Sequence, residues 1–426
     1  MLETIKNAWK IADLRKRILY TLLMIVIFRL GSVIPVPLLQ GDVMAEIFAN
    51  KENTLFGFIN MVSGGAFQNA TIFAMSITPY INSSIIMQLL CVAIPALERL
   101  QKEGEEGRKK IAQLMRYGTV VLALIQAIGL YFMLKSAVVN PGFLSAFVIV
   151  ITFTAGTAFL MWLGEQITDK GIGNGISLII FAGIVSRGPQ LVMSLWNYAT
   201  AGNYGWIGVL AIIIVAIVVI GFVVTFNEAE RRIPVQYAKR VVGRKMYGGQ
   251  STHIPIKVTS SGVMPIIFAM SIMAFPGTIC SFFGVTANSE GFWGWMLRNV
   301  FNTTTITYGV FYFILILFFT YFYTAIQFNP IEIANNMKQN GGFVPGIRPG
   351  RPTSDFVSRV LSKITLVGAI FLGLIAVLPI FLNTVVGMAG FAIGGTSILI
   401  VVGVALETVK QLESQMVMRH YKGFLE

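Results

Sequence analysis

The sequence predicts an all-α polytopic membrane protein, and three observations carry that expectation. Of 426 residues, 55% are hydrophobic and 12% are charged, with a mean hydropathy of +0.74. A soluble domain carries about 25% charged residues, so this chain lacks the polar coat that a water-exposed surface needs. Apolar runs near the roughly 20 residues that cross about 30 Å of hydrocarbon recur ten times. They fall at 18–36, 72–96, 114–135, 145–168, 174–195, 206–226, 260–281, 306–327, 361–382 and 391–411. The third observation is the formal net charge of +13, from 32 Lys+Arg against 19 Asp+Glu. Of those basic residues, 27 fall in alternate connections and the two ends, four in the remaining loops, and Arg29 lies within the first run. Excess Lys and Arg mark cytoplasmic loops, which predicts both termini in the cytoplasm and an even number of spans. An ordinary cytosolic enzyme, a disordered chain and a disulfide-stapled fold are excluded.

The first run follows Arg15-Lys16-Arg17, as a signal peptide would, but it is too long for one and ends in Pro35 and Pro37 rather than a small-residue cleavage site. It is read as a retained helix. The stretch Leu55–Leu97 is nearly all apolar but fits neither one helix nor two with a turn. Its first half holds Asn60, Ser63, Gly64, Gly65, Gln68 and Asn69. Irregular backbone at membrane depth is tolerated only where protein or a water-filled cavity surrounds it. A short re-entrant helix at about 57–67 and an interfacial helix or external loop packed on the bundle fit equally well. Thr78, Asn82, Ser83, Ser84 and Gln88 in the second run, and Ser271 in the seventh, are mildly polar. They suit helix-to-helix hydrogen bonds or a partly wet interior.

The ten runs divide five and five, at 1–205 and 206–426, and an odd number per half would place the halves in opposite orientation. The longest connections are 227–259 and 328–363. In the first, Ile233–Tyr237 alternates like a strand, which predicts a basic hairpin. In the second, Gly341 to Gly350 holds two prolines and four glycines, which predicts a rigid non-helical tip bearing Arg348, with Arg351 beside it. Such cations would attract phosphate-rich RNA or an acidic protein face, or simply orient the spans. Cys91 and Cys280 lie in apolar runs, while His253 and His420 lie in polar stretches. Neither a disulfide framework nor a metal or histidine-based catalytic site is expected from them. No G-x-x-x-x-G-K-[ST] run is present, so no nucleotide site or other cofactor is expected. A passive channel, a coupled carrier and a membrane scaffold remain open at this stage. The want of mid-membrane carboxylates counts against the carrier.

Several segments, in order, resemble the SecY family of protein-export channel subunits. They are Phe58-Ile59-Asn60-Met61 with Ser63-Gly64-Gly65-Ala66, Pro79-Tyr80-Ile81, Trp162 to Thr168, and Gly171-Ile172-Gly173-Asn174-Gly175-Ile176-Ser177. Further along come Tyr237-Ala238-Lys239-Arg240, Gly342 to Gly350, and Gly394-Gly395-Thr396-Ser397. Met75-Ser76 and Asn82-Ser83 depart from the usual pattern. The resemblance implies ten helices in two inverted five-helix halves around a central hourglass pore. It also implies a short plug helix at about 57–67, with Asn60, Met61, Ser63, Gly64 and Gly65. The pore ring would be Ile77, Ile81, Ile176, Ile180, Ile267 and Ile400. A lateral gate would carry Gln88 and Ser271, and partner docking would fall to Arg231, Arg232, Lys239, Arg240, Arg348 and Arg351. The implied partners are SecE and SecG subunits, the SecA motor, the ribosome, signal sequences, nascent polypeptides and membrane lipids. The implied location is the bacterial cytoplasmic membrane. No catalytic, cofactor or metal role is implied.

Overall fold

The computed structural model describes residues 2–40, 63–201, 205–237, 240–242, 245–247, 251–259, 261–282, 289–302, 305–386 and 395–422. Helices dominate, as apolar runs with no water to satisfy their backbone require. In chain order they are α1 (Leu2–Lys10), α2 (Ala12–Gly31), α3 (Thr78–Ala93), α4 (Pro95–Lys102), α5 (Glu105–Met133), α6 (Phe143–Lys170), α7 (Gly175–Val185) and α8 (Gly188–Ala201). They continue with α9 (Gly205–Glu228), α10 (Met264–Phe282), α11 (Phe292–Asn299), α12 (Ile306–Gln327), α13 (Pro330–Gln339), α14 (Arg351–Val386) and α15 (Gly395–Lys422).

Each of the ten apolar runs carries a helix over at least part of its length. Among the described residues six helices are long and apolar enough to cross a membrane by themselves, and up to seven if the bent pair α3 and α4 counts as one. The others fall short for local reasons. In α2, Asp13 and Arg15-Lys16-Arg17 occupy the first turns, and in α15 Glu407, Lys410 and Glu413 occupy the second half.

The second run is shorter than its hydropathy suggests. Helix α3 starts only at Thr78, because Pro79 suits a first turn and residues 63–77 run as turns. It ends at Ile94, where Pro95 cannot continue the helix, and α4 leaves at 102°. Residues 97–116, between the second and third apolar runs, are therefore mostly helical: α4 and the start of α5 fill them. Lys102 pairs with Glu98 one turn back and holds that carboxyl below its ordinary range.

One central apolar cluster draws buried residues from α2, α3, α6, α7, α9, α10, α12, α14 and α15. Helices approach closely where glycine stands. A Cβ on Gly118 of α5 would lie 2.6 Å from Ser83 Oγ of α3, whose hydroxyl donates to Met115 O at 2.9 Å. Arg116 Nε donates to Glu165 Oε1 at 2.7 Å, which ties α5 to α6.

At one end of the bundle β1 (Glu230–Tyr237) pairs antiparallel with β4 (Ser251–Lys257), Ile233 opposite Ile254. On its other edge β1 pairs with β5 (Gly342–Phe343). Between them β2 (Arg240–Val242) and β3 (Lys245–Tyr247) form a two-stranded hairpin. The predicted basic hairpin is thus the core of a three-stranded sheet that joins both long connections. Ile233, Val235, Ile256, Met337, Val344, Val357 and Leu361 form a small core under it. In the 328–363 connection, α13 and the start of α14 flank the stretch Gly341 to Gly350, which is non-helical as expected: β5 is followed by the irregular tip 344–350.

Residues 63–77 are packed into the opposite end. Ser63, Ala66, Phe67, Ala70, Thr71, Phe73, Ala74, Met75, Ser76 and Ile77 are all buried. A Cβ on Gly156 of α6 would sit 2.0 Å from Ile72 O. Gly156→Ala should therefore lower the melting temperature of the purified chain, since overpacking of this kind costs about 1–3 kcal/mol. An unchanged melting temperature would show that the two backbones part freely.

Candidate functional site: an apolar centre and the irregular segment above it

The structure brings all six sequence-selected isoleucines into the central cluster. Ile77 is the residue that caps α3 and Ile81 lies one turn in, while Ile176 and Ile180 are one turn apart on α7. Ile267 comes from α10 and Ile400 from α15. Five of the six are buried and Ile176 is half-buried against them. The spacing i, i+4 places each pair on one helix face, so four helices contribute branched aliphatic side chains to the same cluster.

Helix α7 is aimed by its capping turn. Asn174 Oδ1 accepts from Ile176 N at 3.1 Å and Ser177 N at 3.2 Å. Thr168 Oγ1 donates to Gly164 O and accepts from Gly175 N, both at 2.9 Å. A Cβ on Gly175 would meet Gly164 O at 1.9 Å, so this turn between α6 and α7 closes only with glycine there. Thr21 Oγ1 of α2 accepts from Ile172 N at 3.1 Å.

Over the apolar centre lies the 63–77 segment. Val36 N donates to Ala70 O at 2.8 Å and Ile72 N donates to Ile34 O at 3.0 Å. Phe67 N donates to Ser63 Oγ at 3.2 Å, and Thr71 Oγ1 donates to Ala66 O at 3.1 Å. Phe73 stacks between Phe28 and Phe159, with ring centroids 6.1 and 5.9 Å apart. Ser63, Gly64 and Gly65 lie at the start of this segment in turns, so the described part of the expected 57–67 helix is not helical. Gly64 and Gly65 both have positive φ, +66° and +88°, which breaks a helix there. Asn60 and Met61 lie outside the described residues.

The two residues expected on a seam, Gln88 and Ser271, lie on α3 and α10. Helix α10 packs against α3 and α5. Gln88 on α3 is half-buried and donates from Nε2 to Ser84 Oγ at 3.3 Å, and Ser271 on α10 is buried.

A family model described as SecY matches residues 71–409. The chain is 47% identical to "Protein translocase subunit SecY" of Streptomyces scabiei, 45% to that of Halalkalibacterium halodurans and 44% to that of Bacillus subtilis, each covering 100% of both chains. The chain belongs to the SecY family. At 20% identity the fold matches a solved structure described as "The structure of a protein conducting channel", with a TM-score of 0.66 and 97% of each chain covered. "Sec61 in the Canine ribosome-channel complex from the endoplasmic reticulum" matches with a TM-score of 0.61 at 18% identity, again over 97% of each chain.

Of the six basic residues expected to dock a partner, Arg231 and Arg232 are exposed on β1, where Arg232 Nε pairs with Glu230 Oε1 at 2.7 Å. Arg348 is exposed on the 344–350 tip, whose backbone is pinned by Thr353 Oγ1 donating to Arg348 O at 2.8 Å. Arg351 opens α14 and is exposed. Arg240 begins β2, and Lys239 lies outside the described residues.

Two features escaped the sequence reading. The Asn174 cap could have been found, since Asn before an apolar run is a helix-start signal. The contact of Arg29 with Gly64 and Ser186 could not, because it joins residues far apart in sequence. Asn174→Ala should lower the melting temperature of the detergent-purified chain, because loss of such a cap costs about 0.5–2 kcal/mol. Asn174→Asp should retain most of it. Equal melting of Asn174→Ala and the parent would show that the cap adds nothing.

Proposed function

We propose that this chain is the pore-forming subunit of a protein-conducting channel in the bacterial cytoplasmic membrane. Unfolded secretory polypeptide passes between two halves, 1–205 and 206–426, through a collar of Ile77, Ile81, Ile176, Ile180, Ile267 and Ile400. The observation that supports this reading is that those six side chains, from four helices and both halves, all belong to the one central apolar cluster. A narrow apolar collar sheds water and ions by dewetting, yet its side chains can close around a passing chain. Opening between α3 and α5 on one side and α10 and α12 on the other would release apolar segments into lipid. Burial of their apolar surface, at about 25 cal/mol per Å², supplies the drive. Gln88 and Ser271 lie on that seam, and the 63–77 segment, with the residues before it, closes the pore from the non-cytoplasmic side.

The termini and the sheet face the cytoplasm, where Arg231, Arg232, Lys239, Arg240, Arg348 and Arg351 dock the ribosome or the SecA motor, which provide the energy. SecE and SecG subunits cover part of the apolar helix surface, and the subunit itself performs no catalysis.

Single cysteines at Ile81, Ile180, Ile267 and Ile400, on a Cys91→Ser, Cys280→Ser background, should crosslink to a secretory chain stalled across the membrane. A cysteine at Ile207, which is 82% exposed on α9, should not. Equal crosslinking at all five positions would refute the collar. Arg348→Glu should abolish motor-dependent export while the subunit still accumulates in the membrane. Loss of the folded subunit would make Arg348 structural instead.

A further inference from the structure

We propose that Arg29 is a positioning residue that clasps the pore-closing segment at Gly64, and the proposal rests on the channel reading above. Arg29 lies in the last turn of α2 and is the one ionisable residue well inside the first run. A cation at membrane depth is costly and is retained where it has a task. Among the described residues no carboxylate pairs with it. Its Nη1 instead donates to Ser186 Oγ at 2.9 Å and reaches Gly64 O at 3.5 Å. Ser186, just past α7, donates its own proton to Gly183 O at 2.6 Å. That leaves only lone pairs of the hydroxyl facing the guanidinium, so among the described residues the cation is held without a counter-charge.

Gly64 fits this notch because it has no side chain. A Cβ there would lie 2.7 Å from Arg29 Nη1, 2.8 Å from Ser186 Oγ and 3.1 Å from Gly183 Cα, on a backbone with φ of +66°. Gly65 differs: its φ is +88° but no other described residue lies within 4 Å of the position a Cβ would take. Of the glycine pair, the second serves only the turn, whereas the first is the docked point. The first span, the fifth span and the closing segment thus meet at one peptide.

The two bonds of Arg29 are unequal, and the inequality suits a release device. The bond to Ser186 is short, while that to Gly64 is at the limit of hydrogen-bond range. When the segment leaves, the guanidinium stays parked on Ser186, so opening strands no bare charge in an apolar wall. The other end of the segment is tied differently, through backbone bonds from Val36 to Ala70 and from Ile72 to Ile34. Residues 70–72 therefore act as the fixed end and Gly64 as the end that swings.

The test uses the full chain in its assembled complex, in proteoliposomes, on the Cys91→Ser, Cys280→Ser background. A reporter cysteine replaces Ala66, which is fully buried. Labelling by a membrane-impermeant maleimide, applied to both faces, is read beside ion leak. Loss of a hydrogen bond to a charged group should speed labelling about tenfold, equivalent to about 1.4 kcal/mol, in Arg29→Ala and in Arg29→Met. The methionine fills the space without donating. Arg29→Lys should restore most of the protection. Ser186→Ala and Gly64→Ala should also raise labelling, and they carry the test if the Arg29 variants do not assemble. Protection by Met equal to that by Arg, or unchanged labelling in Ser186→Ala and Gly64→Ala, overturns the clasp. Faster labelling with a parallel rise in leak supports both the clasp and the channel reading. Faster labelling with no change in leak sustains the clasp but refutes the claim that the segment closes a pore.

Discussion

Inside a bilayer every peptide N–H and C=O must find its partner within the protein, and the rest of this structure follows from how the chain meets that demand. Nearly everywhere it does so by helix. The exception is 63–77, a run of turns packed in the bundle, and its neighbours are adapted to it. Backbone from 34–36 supplies ladder-like bonds to Ala70 and Ile72, and side-chain hydroxyls of Ser63 and Thr71 supply others. Gly31 and Gly156 are bare so that Phe73 and the Ile72 carbonyl can come in close. A segment held by many small adaptations of this kind can be seated firmly without being continuous with any helix, and that is the property a removable closure requires.

Polar side chains meet the same demand less completely. Among the described residues Ser76 Oγ, Gln88 Oε1, Ser261 Oγ and Tyr312 Oη are buried without a hydrogen-bond partner. Each orphan of this sort costs about 1–3 kcal/mol, and water entering a parted seam would recover part of that. Apolar packing across the centre opposes this. The packed arrangement is therefore favoured by area and disfavoured by unpaired polar atoms.

How much of this was legible in the sequence depended on the range of the interaction concerned. Hydropathy runs and one-sided charge are local signals, and a helix lies over each of the ten ranges they marked. Proline chemistry was also local, yet hydropathy masked it: the run at 72–96 reads as continuous, while Pro79 and Pro95 confine its helix to Thr78–Ala93. The pairing of β1 with β5 joins Gln236 to Phe343 across more than a hundred residues, and no periodicity announces such a partner. The isoleucines show the sharpest contrast. Each is an ordinary apolar residue in sequence, and only the family resemblance singled them out before the fold placed them together. For Arg29 the sequence offered an unusual cation but neither of the groups that receive it.

The pairing of β1 with β5 also bears on how a partner at one end could act on the seam. Arg231 and Arg232 belong to one long connection and Arg348 and Arg351 to the other, yet one sheet and one small core hold both. That unit is fastened to the spans below. Val258 N donates to Ala229 O at 2.9 Å, Thr259 Oγ1 donates to Asn227 Oδ1 at 2.9 Å, and a Cβ on Gly368 of α14 would lie 2.3 Å from Val258 O. Five residues past Thr259, α10 begins, and α10 is the helix that packs on α3 and α5. A protein interior is stiff and transmits strain. A load applied to the basic sheet therefore reaches α10 through a short chain of fixed contacts. On the channel reading proposed above, docking of a large partner on the cationic face would thus pull first on the α10 wall of the seam.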